Sequence, residues 1–259
     1  MPDNNFSTSA PAIHLRAASL GYAGAPVFDD LDLILPGGKT TCLLGPSGVG
    51  KTSLLRFIAG LLPGATGQAV DDRGHSMSGQ IAYLAQQDLL LPWLSALGNV
   101  TLGSRLRGES VRPEATDRAR GLLAQVGLAG RENDRPAKLS GGMRQRVALA
   151  RTLMEDRPIV LMDEPFSSLD AITRYEIQAL AAECLAERTV LLVTHDPLEA
   201  LRLGHQVLVM AGTPARLDAP LVPAGQPPRN PADADLLTLQ AELLEKLIQA
   251  KTDQGDSAP

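Results

Sequence analysis

The run Gly45-Pro46-Ser47-Gly48-Val49-Gly50-Lys51-Thr52 has the residue types and spacing to hold a chain of phosphates. Its glycines let successive backbone N–H groups converge on phosphate oxygens, which bulky side chains would obstruct. Lys51 is placed to reach the outer phosphates, and the Thr52 hydroxyl, next to Ser53, to ligate Mg²⁺. A second run, Ile159-Val160-Leu161-Met162-Asp163-Glu164, is apolar and ends in two carboxylates. At the C-terminal edge of a parallel sheet, Asp163 is positioned to hold Mg²⁺ through a water. Glu164, one residue on, points elsewhere and is free to polarise an attacking water.

These groups need a scaffold that carries a strand directly into the glycine loop and a helix directly out of it. The sequence supplies both, a strand at 41–44 and a helix at 52–62. Other strand-like runs lie at 13–22, 31–35, 81–86, 159–163, 189–194 and 206–210. Helical patterns lie at 113–126, 142–155, 174–185 and 197–203. Strands alternating with helices indicate an α/β fold with a mainly parallel core sheet. Apolar runs without alternation, as at 190–193, fit strands covered on both faces. Between 89 and 153 the pattern is helical, which indicates an inserted helical subdomain at about 88–155. Residues 1–12 read as a tail. Residues 218–259 read as a Pro-rich linker and a final helix that starts at Asn230-Pro231 and either docks on the core or binds a partner.

Composition narrows the class. The 259 residues carry 24 Lys+Arg against 29 Asp+Glu, a net charge of −5, which argues against a nucleic-acid binder. Cys42 and Cys184 are too far apart in sequence for a disulfide framework or zinc spacing. No apolar run approaches a membrane span and no leader is evident, so a soluble cytoplasmic protein is expected. Basic residues do not cluster enough for lipid attraction alone to hold it at a membrane.

A third motif narrows the function. Leu139-Ser140-Gly141-Gly142-Met143 leads into a basic helix, another N-terminus able to meet an anion. Within one molecule it is half of a site. With this motif in place the sequence resembles the ATP-binding cassette (ABC) ATPases, over residues 13–217. Leu139–Met143 looks like the family signature. Ser167-Ser168-Leu169-Asp170 looks like the loop that crosses the dimer interface, and Thr194-His195-Asp196 like the switch-histidine segment. Gln86 resembles the glutamine that contacts Mg²⁺ and joins the core to the helical subdomain. Tyr22 matches the aromatic that stacks on adenine.

The resemblance implies a P-loop NTPase cassette with a small antiparallel portion. It implies ATP and Mg²⁺ as cofactors, and a second ATPase subunit packed head to tail. ATP would lie between residues 45–53 of one copy and Ser140, Gly141, Gly142 and Asp170 of the other. Glu164 would act as base and His195 as γ-phosphate sensor. Met143 stands where Gln is more usual, and 64–79 is short for the antiparallel portion.

Among ABC proteins, a single cassette without spans fits an importer subunit. It would work with separate transmembrane permease subunits, and indirectly with a substrate-binding protein, at the cytoplasmic face of the inner (cell) membrane. An exporter ATPase, and a non-transport ATPase acting on nucleic acid, are the alternatives. The segment Gln86-Gln87-Asp88-Leu89-Leu90-Leu91-Pro92-Trp93, holding the single Trp, is similar to nitrate/sulfonate/taurine-type importers, a group that includes carriers of pyrimidine thiamine precursors. In that group the segment helps form the groove for a permease helix. Trp93 is either such an anchor or part of the subdomain core.

Overall fold

Hydrophobic patterning sorts the strands into two sheets. The computed structural model describes residues 10–22, 24–109 and 112–255. The expected tail at 1–12 therefore lies mostly outside the described residues. β1 (Ile13–Tyr22), β2 (Ala25–Leu35) and β4 (Thr66–Val70) form an antiparallel sheet in the order β2-β1-β4. β2 is longer than the 31–35 segment expected. Left-handed backbone at Ala17 and Asp30 and register shifts along the β1–β2 pair break the alternation that sequence reading relies on. The short 64–79 segment still delivers one strand, β4, to this sheet.

The second sheet has the order β5-β6-β7-β3-β8-β9. It contains β3 (Thr40–Leu44), β5 (Ile81–Leu84), β6 (Ile159–Asp163), β7 (Thr189–Val193), β8 (Gln206–Ala211) and β9 (Arg216–Leu217). All neighbours are parallel except β8–β9. β6 and β7 are buried at every residue, as a sheet covered on both faces demands. One face packs against α1 (Lys51–Ile58) and the antiparallel sheet, around Phe28, Leu54 and Leu55. The other packs against α6 (Ala171–Cys184), α7 (Pro197–Leu203) and α8 (Ala234–Gly255).

Between β5 and β6 the described chain is helical: α2 (Ala96–Val100), α3 (Leu102–Leu106), α4 (Pro113–Gln125) and α5 (Gly141–Met154). α5 packs on α2, α4 and β5, tying this insertion to the sheet. α8 buries Leu236 and Leu243 in the core, so the final helix docks. It begins at Ala234, later than the Asn230-Pro231 start expected. The Asn230 side chain instead accepts the Ala232 N–H at 3.1 Å, a local turn that holds the chain out of helix. Helix α1 stops at Ile58, short of the 52–62 expected, because Gly60 takes φ +69°.

Candidate functional site

Register decides which strand ends meet. Leu43 pairs with Val193, and Asp163 pairs with Val193 from the other side. The loop after β3, the carboxylates ending β6 and the segment after β7 therefore leave the sheet from one row. Glu164 continues this row, its N–H donating to Val193 O at 2.9 Å.

The loop after β3 is shaped by its glycines. A Cβ on Gly45 would lie 2.3 Å from Met210 O. One on Gly50, which has φ +111°, would lie 2.6 Å from Val27 Cγ1. Only glycine fits at these two points. Lys51 Nζ donates to Gly45 O and Pro46 O at 2.7 and 2.8 Å, curling over the loop. Burial pulls the Lys51 pKa down, against the opposing pull of Glu164 and Asp163. Thr52 and Ser53 open α1, and Pro46, Ser47, Gly48 and Val49 form the loop between.

Thr52 Oγ1 donates to Asp163 Oδ2 at 2.8 Å across 111 positions. Burial raises the Asp163 pKa, opposed by this hydrogen bond. Gln86 Nε2 donates to Glu164 Oε2 at 3.2 Å, and His195 Nδ1 lies 3.5 Å from the same oxygen. Glu164 takes φ +49°, a conformation that costs about 1–3 kcal/mol outside glycine and that clusters at functional sites. The structure thus gathers Lys51, Thr52, Asp163, Glu164, Gln86 and His195 at one sheet edge.

The remaining expected residues stand apart. Ser140 Oγ accepts the Met143 N–H at 3.2 Å as the cap of α5. A Cβ on Gly142 would lie 3.1 Å from Ser168 O, so the α5 N-terminus abuts the 167–170 loop. Asp170 caps α6 through the Thr173 N–H at 3.1 Å, which lowers its pKa. Tyr22 ends β1, 56% exposed and paired with Ala25, two residues before the Val27 that touches Gly50. Ser140, Gly142, Asp170 and Tyr22 have no described hydrogen bond to the Lys51–Glu164 cluster, whereas the 167–170 loop does, Ser167 Oγ donating to Glu164 O at 3.1 Å.

Sequence reasoning missed the clamps around Gln86. Arg144 Nε donates to Asp88 Oδ2 at 2.9 Å, and Arg151 donates to the carbonyls of Asp88 and Leu89 at 2.7 and 2.9 Å. They bind the segment after β5 to α5. Asn99, fully buried, pins the next loop by accepting from Leu91 N and donating to Leu91 O and Ser95 O. Trp93 rides on that pinned loop at 65% exposure. It is therefore not core, the other reading its position allowed. An invariant pattern of charge would have flagged none of these, since each bond goes to main chain or to a distant partner.

Hard oxygen donors such as Thr52 and Asp163 suit Mg²⁺. Among the described residues no group of three or more His, Cys, Asp or Glu could hold a metal alone.

A glycine loop and paired carboxylates on one edge of a parallel sheet define a nucleotide-phosphate-binding α/β cassette. The ABC transporter family model matches residues 28–167. The chain is 46% identical to the aliphatic sulfonates import ATP-binding protein SsuB 1 of Rhodococcus jostii, over 94% of this chain and 96% of the relative. It is 43% identical to an uncharacterized ABC transporter ATP-binding protein of Haemophilus influenzae, over 91% and 98%. A solved dimeric ATP-binding cassette in a post-hydrolysis state, bound to ADP and Pi, superposes with a TM-score of 0.73 at 28% identity, covering 82% of this chain and 99% of that one. The chain belongs to the ABC transporter family, among its ATP-binding subunits.

Proposed function

We propose that this chain is the ATP-hydrolysing subunit that energises import of a small organic anion of the aliphatic sulfonate class. The observation that carries the ATPase reading is the shared edge where Lys51, the Thr52–Asp163 pair and the Gln86–Glu164–His195 group converge. The sulfonate reading rests on the relatives, and their names favour it over a pyrimidine precursor.

In this reading, residues 45–53 cradle the phosphates through backbone N–H groups and Lys51. Thr52, Asp163 and Gln86 would hold Mg²⁺, which would supply positive charge against the phosphates. Glu164 orients and deprotonates the attacking water, with Gln86 and His195 fixing its carboxylate from two sides. His195, 66% exposed on its side chain, is free to meet the γ-phosphate. Tyr22 stacks on adenine. Ser140, Gly141, Gly142 and Asp170 serve the second copy, from the helix starts that Ser140 and Asp170 cap. The cassette spans 13–217, and the helical insertion at about 88–155 presents Trp93 to a permease helix. A rigid loop and an exposed aromatic anchor are what such a contact requires. Among the described residues no helix is long and apolar enough to cross a membrane, so attachment to the cytoplasmic face runs through the permease.

The test is uptake of a labelled aliphatic sulfonate by cells with and without this chain, complemented by the wild type or Glu164→Gln. Uptake restored only by the wild type is expected. Normal uptake without the chain overturns the import reading.

A further inference from the structure

Behind His195 lies a buried polar cluster that the nucleotide site does not use. Gln178, Glu199 and Arg202 are 5%, 5% and 3% exposed, set among Ile177, Ala181, Leu201 and Leu203. Burying a carboxylate and a guanidinium is costly unless their hydrogen bonds are made. Gln178 Nε2 donates to Glu199 Oε2 at 2.8 Å. Arg202 donates to Gln178 Oε1 and, at 3.1 Å, to Tyr175 O, with its guanidinium 3.8 Å over the Tyr175 ring. This end of the cluster is anchored on α6.

The other end reaches the switch segment. Thr194 lines the same small cavity as Glu199, and its hydroxyl favours the ionised Glu199 carboxylate. Thr194 Oγ1 also accepts the Asp196 N–H at 3.1 Å. Asp196 in turn caps α7, accepting from Leu198 N at 2.9 Å and Glu199 N at 3.3 Å. Both residues that flank His195 are therefore tied, directly or through one bond, to Glu199. His195 itself is exposed and has no such tie. A cavity of about 20 Å³ lies between, lined by Glu164, Thr194, His195, Arg174 and Glu199. Glu199 and Glu164 thus border one space the size of a single water.

The geometry points to Glu199 as a positioning residue for His195, holding the main chain on both sides of the imidazole through Thr194 and anchoring it to α6 through Gln178. It rests on the reading of His195 as the γ-phosphate contact. Gln178 donates to the carboxylate and Thr194 favours its ionised form, while burial favours the neutral acid and outweighs them. Burial, offset by those two groups, pushes the Glu199 pKa up to about 7. The charged and titratable groups around it are Glu164 after β6, Arg174 and Tyr175 on α6, Asp196 and Arg202 on or next to α7, His195 itself, and Cys42 on β3. α8 contributes apolar Leu236 and Leu243 to this side of the core. Turnover then rises with pH through about 7 as Glu199 ionises.

The test uses the purified full chain with MgATP, following kcat, KM and nucleotide affinity across pH, with a thermal melt for each variant. Glu199→Gln keeps the shape and removes the charge. It is expected to lower kcat about tenfold, inside the 10²-fold that an ångström of misplacement costs. KM and affinity stay within about twofold, and the acid limb near pH 7 disappears. Thr194→Val reproduces this, and the double variant costs no more than either single. In a His195→Ala background, Glu199→Gln adds nothing. An unchanged pH profile in Glu199→Gln, or a full cost in the His195→Ala background, overturns the positioning role alone. A wild-type rate in His195→Ala overturns the γ-phosphate reading and this one with it.

Discussion

Gln86 and Glu164, 78 positions apart, share a hydrogen bond of 3.2 Å from Nε2 to Oε2. Gln86 opens the segment that Arg144 and Arg151 clamp to α5 and that leads to the exposed Trp93. One contact therefore joins the carboxylate proposed to act on water to the surface proposed to meet the permease. Movement of the helical insertion would be felt at Glu164 first.

Glu164→Gln should retain ATP and lose turnover by about 10²–10⁴-fold, the usual worth of a general base. The amide still fits beside Gln86 and His195 but takes no proton. Size-exclusion with ATP and Mg²⁺ should show a trapped dimer. A monomer with bound nucleotide contradicts the head-to-tail arrangement.

Lys51→Ala should cost nucleotide affinity. The Nζ now spends its bonds on Gly45 O and Pro46 O and would turn to phosphate oxygens when a nucleotide binds. The loop should keep its shape, because its glycines set it. Calorimetric titration with a nucleotide triphosphate checks this, and unchanged binding removes the phosphate role of 45–52.

Trp93→Ala should leave the ATPase rate of the isolated chain unchanged and weaken assembly with the permease. An anchor of this kind is worth about 2–4 kcal/mol, or roughly 30- to 1,000-fold in affinity. Co-purification of tagged permease with each variant reads it directly.

Stability should fall as pH rises through 7. Glu199 has its pKa raised from 4.5 to about 7 in the folded chain. Between those values the folded state holds more protons than the unfolded one, so stability drops as pH climbs through that window and levels off above it. The contribution is about 3 kcal/mol, an upper bound for this site. Denaturant melts at pH 6 and pH 8 should differ in the wild type and much less in Glu199→Gln.

Arg229→Ala should destabilise the chain by about 2–4 kcal/mol, since charged hydrogen bonds contribute roughly 1.5–3 kcal/mol where buried. Its guanidinium, 7% exposed, donates to the carbonyls of Leu201, Gly204, Pro223, Ala224 and Gly225. That ties the Pro-rich linker to the C-terminal end of α7. A lowered melting temperature checks it.

Local chemistry was legible in the order of residues. Gly45–Thr52 requires glycine backbone and a following helix, and that requirement acts over neighbouring residues, where sequence is informative. The same holds for the β6 strand ending in Asp163-Glu164 and for α7, whose cap Asp196 and Pro197 mark its start. Most helices and strands followed from periodicity, but the short β4 and β9 did not, and ends such as Ala234 depended on single side-chain turns. Tertiary structure decided everything that depends on register between distant strands. Leu43, Val193 and Asp163 fall in one row because β3, β7 and β6 are parallel neighbours, and only that brings Lys51, Glu164 and His195 together. It also decided exposure. Trp93 faces outward because Asn99 pins its loop, and Glu199, a charge on a helix, faces inward because Gln178 and Thr194 satisfy it there. Burial of a polar group is settled by partners that meet only in the folded chain, so no local pattern can report it.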